Sequence, residues 1–213
     1  MFAPLEHSII KRGCDAGAIS IEYINFRDYT TNKHNRVDDS PYGGGCGLVL
    51  TAQPIVDCIE AIDPDRKSHR IYMTPSAPVL TQRRVRELAK LDWLIILCGH
   101  YEGVDRRAID LCIDEEISIG EFVLTGGELP AMILVDAVAR LCDGVIKQQS
   151  LMNESFSTEK MNAHGEVVDV KCGWEAPQYT RPREFRGLEV PEVLLNGNHA
   201  EILKWQEGYY KKS

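Results

Sequence analysis

Residues 113–131, IDEEISIGEFVLTGGELPA, concentrate the residue types that chemistry uses. They hold acids, a glycine at 120, the pair Gly126-Gly127, and Leu129-Pro130 at the opening of an apolar helix. Glycine removes the side chain where backbone must approach a ligand or take a positive φ. Proline fits the first helical turn, where its missing N–H costs nothing. The stretch therefore reads as a loop that turns tightly twice and then launches a helix, as a ligand cradle would. The plain alternative is a connector between a strand and a buried helix, and the segment alone leaves both open.

Two more loops precede it. Residues 74–78 (TPSAP) and 99–103 (GHYEG) each follow a segment expected as a strand. In open parallel α/β sheets, ligands bind outside the carboxyl ends of the strands. Three such loops on one sheet edge imply a shared small-molecule site. No nucleotide fingerprint accompanies them. Gly43-Gly44-Gly45 lacks the following Lys-Ser/Thr of a phosphate loop, and no GxGxxG opens a helix after a strand. The cradle is not an ordinary ATP or NAD site.

The elements that must position these loops alternate. Residues 17–26 (GAISIEYINF) are β-rich and predict a strand, and residues 54–62 predict a helix opened by Pro54. Residues 69–73 predict a short strand. Thr81 can cap a helix whose Val85, Leu88 and Ala89 share one face. The unbroken apolar run 93–98 (WLIILC) predicts a strand buried on both faces. A short helix is expected over 105–112. Residues 129–141 predict a helix apolar almost all round, and so central. This alternation points to an α/β domain with a parallel sheet and helices on both faces. We place it at 1–146, followed by a polar interdomain linker at 147–168 and a C-terminal region at 169–213, with a last amphipathic piece at 199–205.

Composition narrows the classes. With 213 residues, 44% of them hydrophobic, the chain can bury a real core. No apolar run reaches the roughly 18–20 residues of a membrane span. The N-terminus also lacks the layout of a signal peptide, so a soluble, cytoplasmic protein without membrane contact is expected. The seven cysteines form no CxxC pair, and the six histidines show no ligand spacing. This predicts reduced core thiols and no metal site. A net charge of −8 argues against broad nonspecific nucleic-acid binding. It leaves room for local basic patches at Arg106-Arg107 and at 180–186 (TRPREFR), although charge alone favours a solvated surface at both.

Several segments together resemble the bacterial tRNA (guanine-N1-)methyltransferases, the TrmD family of the SPOUT superfamily. They are VDDSPYGGGCG (37–47), IYMTPSA (71–77), CGHYEGVDRR (98–107), IDEEISIGEFVLTGGELPAM (113–132), VDAVAR (135–140) and APQYTRPREFRGLEVPEVLLNGNHAEI (176–202). They span most of the chain in the family's order. The resemblance implies an α/β fold whose C-terminal part passes through a loop, forming a deep trefoil knot that binds S-adenosylmethionine. By motif, the cofactor residues are Tyr72, Met73, Thr74, Pro75, Gly99, Tyr101, Gly103, Ile119, Gly120, Glu121, Phe122, Val123, Leu124, Gly126 and Gly127, with Pro130 closing the pocket.

The implied reaction is methyl transfer to N1 of the guanine (G37) next to the tRNA anticodon. N1 of neutral guanine carries a proton, so a base must take it as the methyl arrives. Negative charge then develops towards O6, where a cationic donor should stand. The resemblance assigns the donor to Arg140. It assigns the base to Glu154, in the segment Asn153-Glu154-Ser155-Phe156, where the family usually has an aspartate. It further assigns Asp38, Tyr42, Gly43, Gly44, Gly45 and Glu102 to the substrate guanine, and Arg181 to tRNA phosphate. It implies a homodimer with the active site at the subunit interface, the base being supplied by the partner's linker. It also adds Mg2+ as an assisting ion, although no ligand set is visible.

Other departures stand beside Glu154. Ala77 replaces a frequent glycine and His100 a frequent arginine. Relative to the family pattern an apolar strand before Met1 is absent and the C-terminal helical region is short. A misplaced start or a trimmed chain is the expectation, with weakened tRNA affinity. Two alternatives remain open at this point: a SPOUT enzyme acting on rRNA or a ribose hydroxyl, and a cofactor-binding RNA protein without activity.

Overall fold

The computed structural model describes residues 1–151, 154–156, 159–161, 167–169 and 175–210. The chain divides into two units, Met1–Val145 and Ile146–Ser213.

The first unit opens with a 3-10 turn at Ala3–Glu6 and helix α1, Ser8–Asp15. Here the structure departs from the expected strand at 17–26, since no strand forms there. The alternating apolar residues pack sideways instead. Ile19 and Ile21 join a cluster with Leu5, Ile10, Met132 and Ala139, and the Tyr23 ring stacks on Phe2 at 4.8 Å between centroids. The pattern that predicts a strand has been used to cover a helix.

A short antiparallel pair follows, β1 (Asp38–Asp39) with β2 (Val49–Leu50). Helix α2, Ala52–Ile62, begins two residues before Pro54, which sits in its first turn. Strand β3, His69–Met73, and helix α3, Gln82–Leu88, come next, and the Thr81 side chain accepts from the Arg84 N–H as a cap should. Strand β4 is Leu94–Cys98, helix α4 is Arg106–Cys112 and strand β5 is Glu115–Ile117. Helix α5, Glu128–Ala139, ends this run.

The sheet has the order β4-β3-β5 and is parallel throughout, with Met73 opposite both Cys98 and Ile117. Alternation along the strands sends successive side chains to opposite faces. Tyr72 and Leu97 pack with Ile55, Ile59, Ala108 and Ile109 of α2 and α4. Ile71, Met73 and Ile117 pack with Val85 and Leu88 of α3 and with Ala131, Leu134 and Val138 of α5. Both faces are thus covered by helices, which is why WLIILC carries no alternation.

Helix α5 is central, as expected, lying between the sheet and the α1 cluster. It is not buried all round, however. Leu129 is 49% exposed and Ile133 50%, and Asp136 is exposed on the same stripe. Among the described residues Cys58 and Cys112 are buried free thiols, Cys14, Cys98 and Cys142 are half-buried, and Cys46 is exposed.

In the second unit, α6 (Gln148–Leu151) and the antiparallel pair β6 (Glu159–Met161) with β7 (Val167–Asp169) fall where the linker is expected. Residues 152–153, 157–158 and 162–166 of that linker, and Cys172, lie outside the described residues. A second hairpin pairs β8 (Glu184–Phe185) with β9 (Leu188–Glu189), turning at Arg186-Gly187, both with positive φ. A 3-10 turn at Glu192–Leu194 leads to α7, His199–Tyr210, longer than the expected 199–205. Trp205 of α7 lies 6.4 Å from the Tyr179 ring and 5.1 Å from Tyr209, between centroids.

Candidate functional site

The three loops named from the sequence leave the same edge of the sheet. Because β3, β4 and β5 are parallel and end in register, the loops starting at 74, 99 and 118 are neighbours. Backbone bonds tie them together. The Thr74 N–H donates to the Ile117 carbonyl at 3.0 Å, and Leu80 donates to Ser118 at 2.7 Å while Ser118 donates back to Pro78 at 3.0 Å. On the other side, Gly127 donates to Gly99 at 2.8 Å, and His100 bridges Gly126. The 118–127 loop is therefore held between its two neighbours.

Glycine at 127 has a steric cause. A Cβ there would lie 2.6 Å from the Gly99 nitrogen and 2.8 Å from the Cys98 Cα, with backbone on both counts and no side chain able to yield. At 126 a Cβ would meet the Glu128 carboxylate at 2.7 Å and the His100 ring at 2.9 Å. Ser118 steadies the preceding turn, its hydroxyl donating to the Gly120 carbonyl at 2.8 Å. Backbone here packs closely on backbone, as both a ligand cradle and a tight connector allow.

The expected cofactor residues thus sit together, but their side chains divide into two groups. Tyr72, Met73 and Pro130 are buried, and Ile119 packs against the same core as Met73. The Tyr72 ring supports Gly99 from beneath, 3.0 Å from where a Cβ would stand, and its hydroxyl accepts from the Val104 N–H. Tyr101, Phe122, Val123 and Leu124 are instead exposed at the rim, Val123 at 80%. Tyr101 also takes a positive φ of 59°, uncommon for a bulky residue. Glu121 is exposed beside Phe122. Burial pushes the Cys98 thiol at the base of this edge up to about 12, which keeps it protonated.

The substrate-loop residues come to the same place. Residues 40–48 link β1 to β2, with Tyr42 almost wholly exposed and Gly43, Gly44 and Gly45 all at positive φ. Asp38 is half-buried in β1. Leu50 donates to the Gly103 carbonyl at 2.9 Å, and Glu102 donates to Leu48 at 3.0 Å. The Glu102 side chain occupies the space a Cβ at Gly47 would take, 2.5 Å away. Gly47, absent from the residues expected at the site, packs against the candidate Glu102. The signal was present in the run GGGCG, where the fourth glycine also has a positive φ.

Arg140 is the C-terminal cap of α5, at the far end from the cradle. Leu129, Ile133, Asp136 and Arg140 recur at helical spacing and form one stripe. At 1.5 Å per residue the stripe runs about 16 Å from Leu129 to Arg140. Glu154 and Arg181 belong to the second unit. Glu154 precedes Ser155, whose hydroxyl accepts from the Glu175 N–H at 3.0 Å, and Arg181 stands just before the β8–β9 hairpin.

Comparison with known proteins agrees with this geometry. The family model described as tRNA (Guanine-1)-methyltransferase TrmD matches residues 1–212. A tRNA (guanine-N(1)-)-methyltransferase of Caldicellulosiruptor saccharolyticus is 52% identical over 199 residues, covering 93% of this chain and 76% of that protein. The protein of the same name from Borrelia duttonii is 50% identical over 202 residues, covering 94% and 79%. The one from Exiguobacterium sibiricum is 48% identical over 207 residues, covering 97% and 80%. The match runs through every loop of the cradle, and the chain belongs to the TrmD tRNA (guanine-1)-methyltransferase family.

Proposed function

We propose that two copies of this chain together build a site that methylates N1 of the guanine next to the anticodon (G37) of tRNA. The chain is a tRNA (guanine-N1) methyltransferase by family. What supports the finer reading is the convergence of three cross-tied loops and the Gly43–Gly45 loop at one sheet edge.

The cradle suits S-adenosylmethionine, which supplies an electrophilic methyl group on a sulfonium. Backbone brought close by Gly99, Gly126 and Gly127 can meet the adenine edge. Phe122, Val123 and Leu124 offer apolar surface for its face. We read the 118–127 loop, held on both sides, as the threaded part of a trefoil knot.

The remaining demands fall on this chain's own side chains. Glu102 beside the Gly43–Gly45 loop can accept from the guanine edge, and glycines without side chains let a flipped base approach. Glu154 takes the N1 proton as the methyl arrives. Its carboxylate has a basicity close to aspartate's, on a stem one methylene longer. Arg140 faces the charge that grows on O6. Arg181 meets tRNA phosphate. In this reading 1–146 is the knotted methyltransferase domain, 147–168 the linker carrying the base, and 169–213 the tRNA grip.

What supports a homodimer is helix α5. Arg140 is about 16 Å along the helix from the cradle that launches it, too far to serve that cradle. A second copy packed antiparallel on the exposed stripe would bury Leu129 and Ile133 and carry its own Arg140 to the first copy's cradle. Among the described residues no group of three His, Cys, Asp or Glu side chains could hold a metal ion. No helix among the described residues is long and apolar enough to cross a membrane. A tRNA substrate would place the work in the cytoplasm.

The test is methyl transfer from S-adenosylmethionine to tRNA transcripts carrying G or A at the position 3′ of the anticodon. Incorporation that requires G supports guanine N1 as the target. Equal incorporation into both would point to a ribose, and none, with cofactor bound, to an inactive RNA-binding relative.

A further inference from the structure

His100 and Glu128 form a pair that the reaction does not use. His100 Nε2 meets a carboxylate oxygen of Glu128, the first residue of α5. The two residues belong to different loops of the cradle. His100 follows Gly99 in the second loop, and Glu128 follows Gly127 at the end of the third. Their side chains close directly over Gly126, whose missing Cβ leaves room for both. The pair is the side-chain counterpart of the backbone tie from Gly127 to Gly99 and of the bridge between His100 and Gly126.

We propose that His100 and Glu128 are positioning residues that latch the second and third loops together and so set the affinity for the cofactor. The inference rests on the cradle being the S-adenosylmethionine site. A ring N–H that donates to a carboxylate makes a charge-assisted bond. Glu128 stands at a helix N-terminus, where the macrodipole favours a carboxylate. The other titratable groups facing the pair are Tyr101, its ring 6.2 Å from the His100 ring, and Cys98, which lies within the field of Glu128.

The pair is partly exposed, with His100 at 42%, so its leverage is modest. Exposed ion pairs of this kind change an equilibrium by up to about fivefold. The test is calorimetric binding of S-adenosylhomocysteine to the full chain, in the unaltered protein and in His100→Ala, Glu128→Gln, the double variant and His100→Arg. The latch predicts that His100→Ala and Glu128→Gln each lose about three- to fivefold in affinity, that the two losses do not add in the double variant, and that His100→Arg, which still donates to Glu128, stays near the unaltered protein. KM for S-adenosylmethionine should rise more than kcat falls. Unchanged affinity in the single variants, or losses that add, would overturn the latch while leaving the cradle intact. No binding by the unaltered protein would overturn the cradle and the latch with it.

Discussion

The two ends of the parallel sheet are built from opposite chemistries. At the amino end the strands begin among ion pairs. Arg70 and Asp63 are both almost fully buried, 2.9 Å apart, and Asp63 also accepts from the Ser68 hydroxyl and the Lys67 and Ser68 N–H groups. Beside them Glu115 accepts from Arg84 at 2.6 Å and contacts His69 Nε2 at 2.8 Å, while Asp114 meets Arg66 at 3.0 Å. At the carboxyl end the strands run into glycines, exposed aromatic and aliphatic residues, and backbone-to-backbone ties. One end spends its polar groups on holding the fold. The other keeps its surface free for a ligand, which is where open α/β sheets place their sites.

The contrast predicts that damage at the two ends should read out differently. The largest effect belongs to the chemistry. Arg140→Ala should lower kcat by about 10²–10³, the usual loss of one charge-stabilising donor. Glu154→Gln should fall comparably, and both should still bind S-adenosylhomocysteine. Single-turnover rates and calorimetry on the same preparations check this. A near-normal rate in either variant would remove that residue from the mechanism.

Next comes the cradle itself. Gly126→Val drives a branched side chain into His100 and Glu128, and overpacking of this kind costs about 1–3 kcal/mol. Cofactor affinity should drop by at least about tenfold, a larger effect than the accompanying fall of a few degrees in melting temperature. Unchanged affinity would mean that the loop is only a connector.

Damage at the amino end should do the reverse. Asp63→Asn leaves Arg70 buried without its countercharge, so the melting temperature should fall by about 5–10 °C. At 25 °C, where the variant is still folded, cofactor affinity should hold. Acid probes the same network. Burial alone would push the carboxyls of Asp63, Asp114 and Glu115 up. The Ser68 hydroxyl and Lys67 N–H at Asp63, Arg66 at Asp114, and Arg84 at Glu115 outweigh it, and all three end below the ordinary carboxylate range. A group lowered in the folded state adds stability above its unfolded value and loses it as pH falls through the folded one. Melting should therefore be nearly flat from pH 7 to about 5 and decline below about 4. The decline should be shallower in Asp63→Asn. The smallest effect is expected from Arg106→Ala, whose partners Asp110 and Glu116 lie on the surface. It should move melting by about 1 °C or less.

Much of this was legible in the sequence. The run WLIILC and the Thr81 cap fall at strand β4 and helix α3, because burial on both faces and N-capping leave local signatures. The glycines of residues 113–131 pointed to close backbone approach, and at Gly127 that approach is found. What was not legible depends on partners distant in the chain. Residues 17–26 have a strand's pattern but no strand to pair with, and they cover α5 instead. The pairing of His100 with Glu128 cannot be read from residues 28 positions apart. The exposed stripe on α5 was hidden for a related reason. An exposed apolar residue looks, in sequence, like one that is buried in its own chain.

That stripe carries the central claim, that each site is shared between two copies. The direct test mixes two impaired variants and assays them with S-adenosylmethionine well below its KM. Gly126→Val spoils the cradle but keeps Arg140, and Arg140→Ala does the opposite. Co-expressed with different tags and purified as mixed dimers, they form one complete site if Arg140 acts on its partner's cradle. The account predicts that the mixed dimer recovers about half the methyl transfer of the unaltered dimer, while each variant alone stays at about a tenth or less. A mixed dimer as impaired as its parents would contradict the account, because both sites would then depend on an arginine from their own chain.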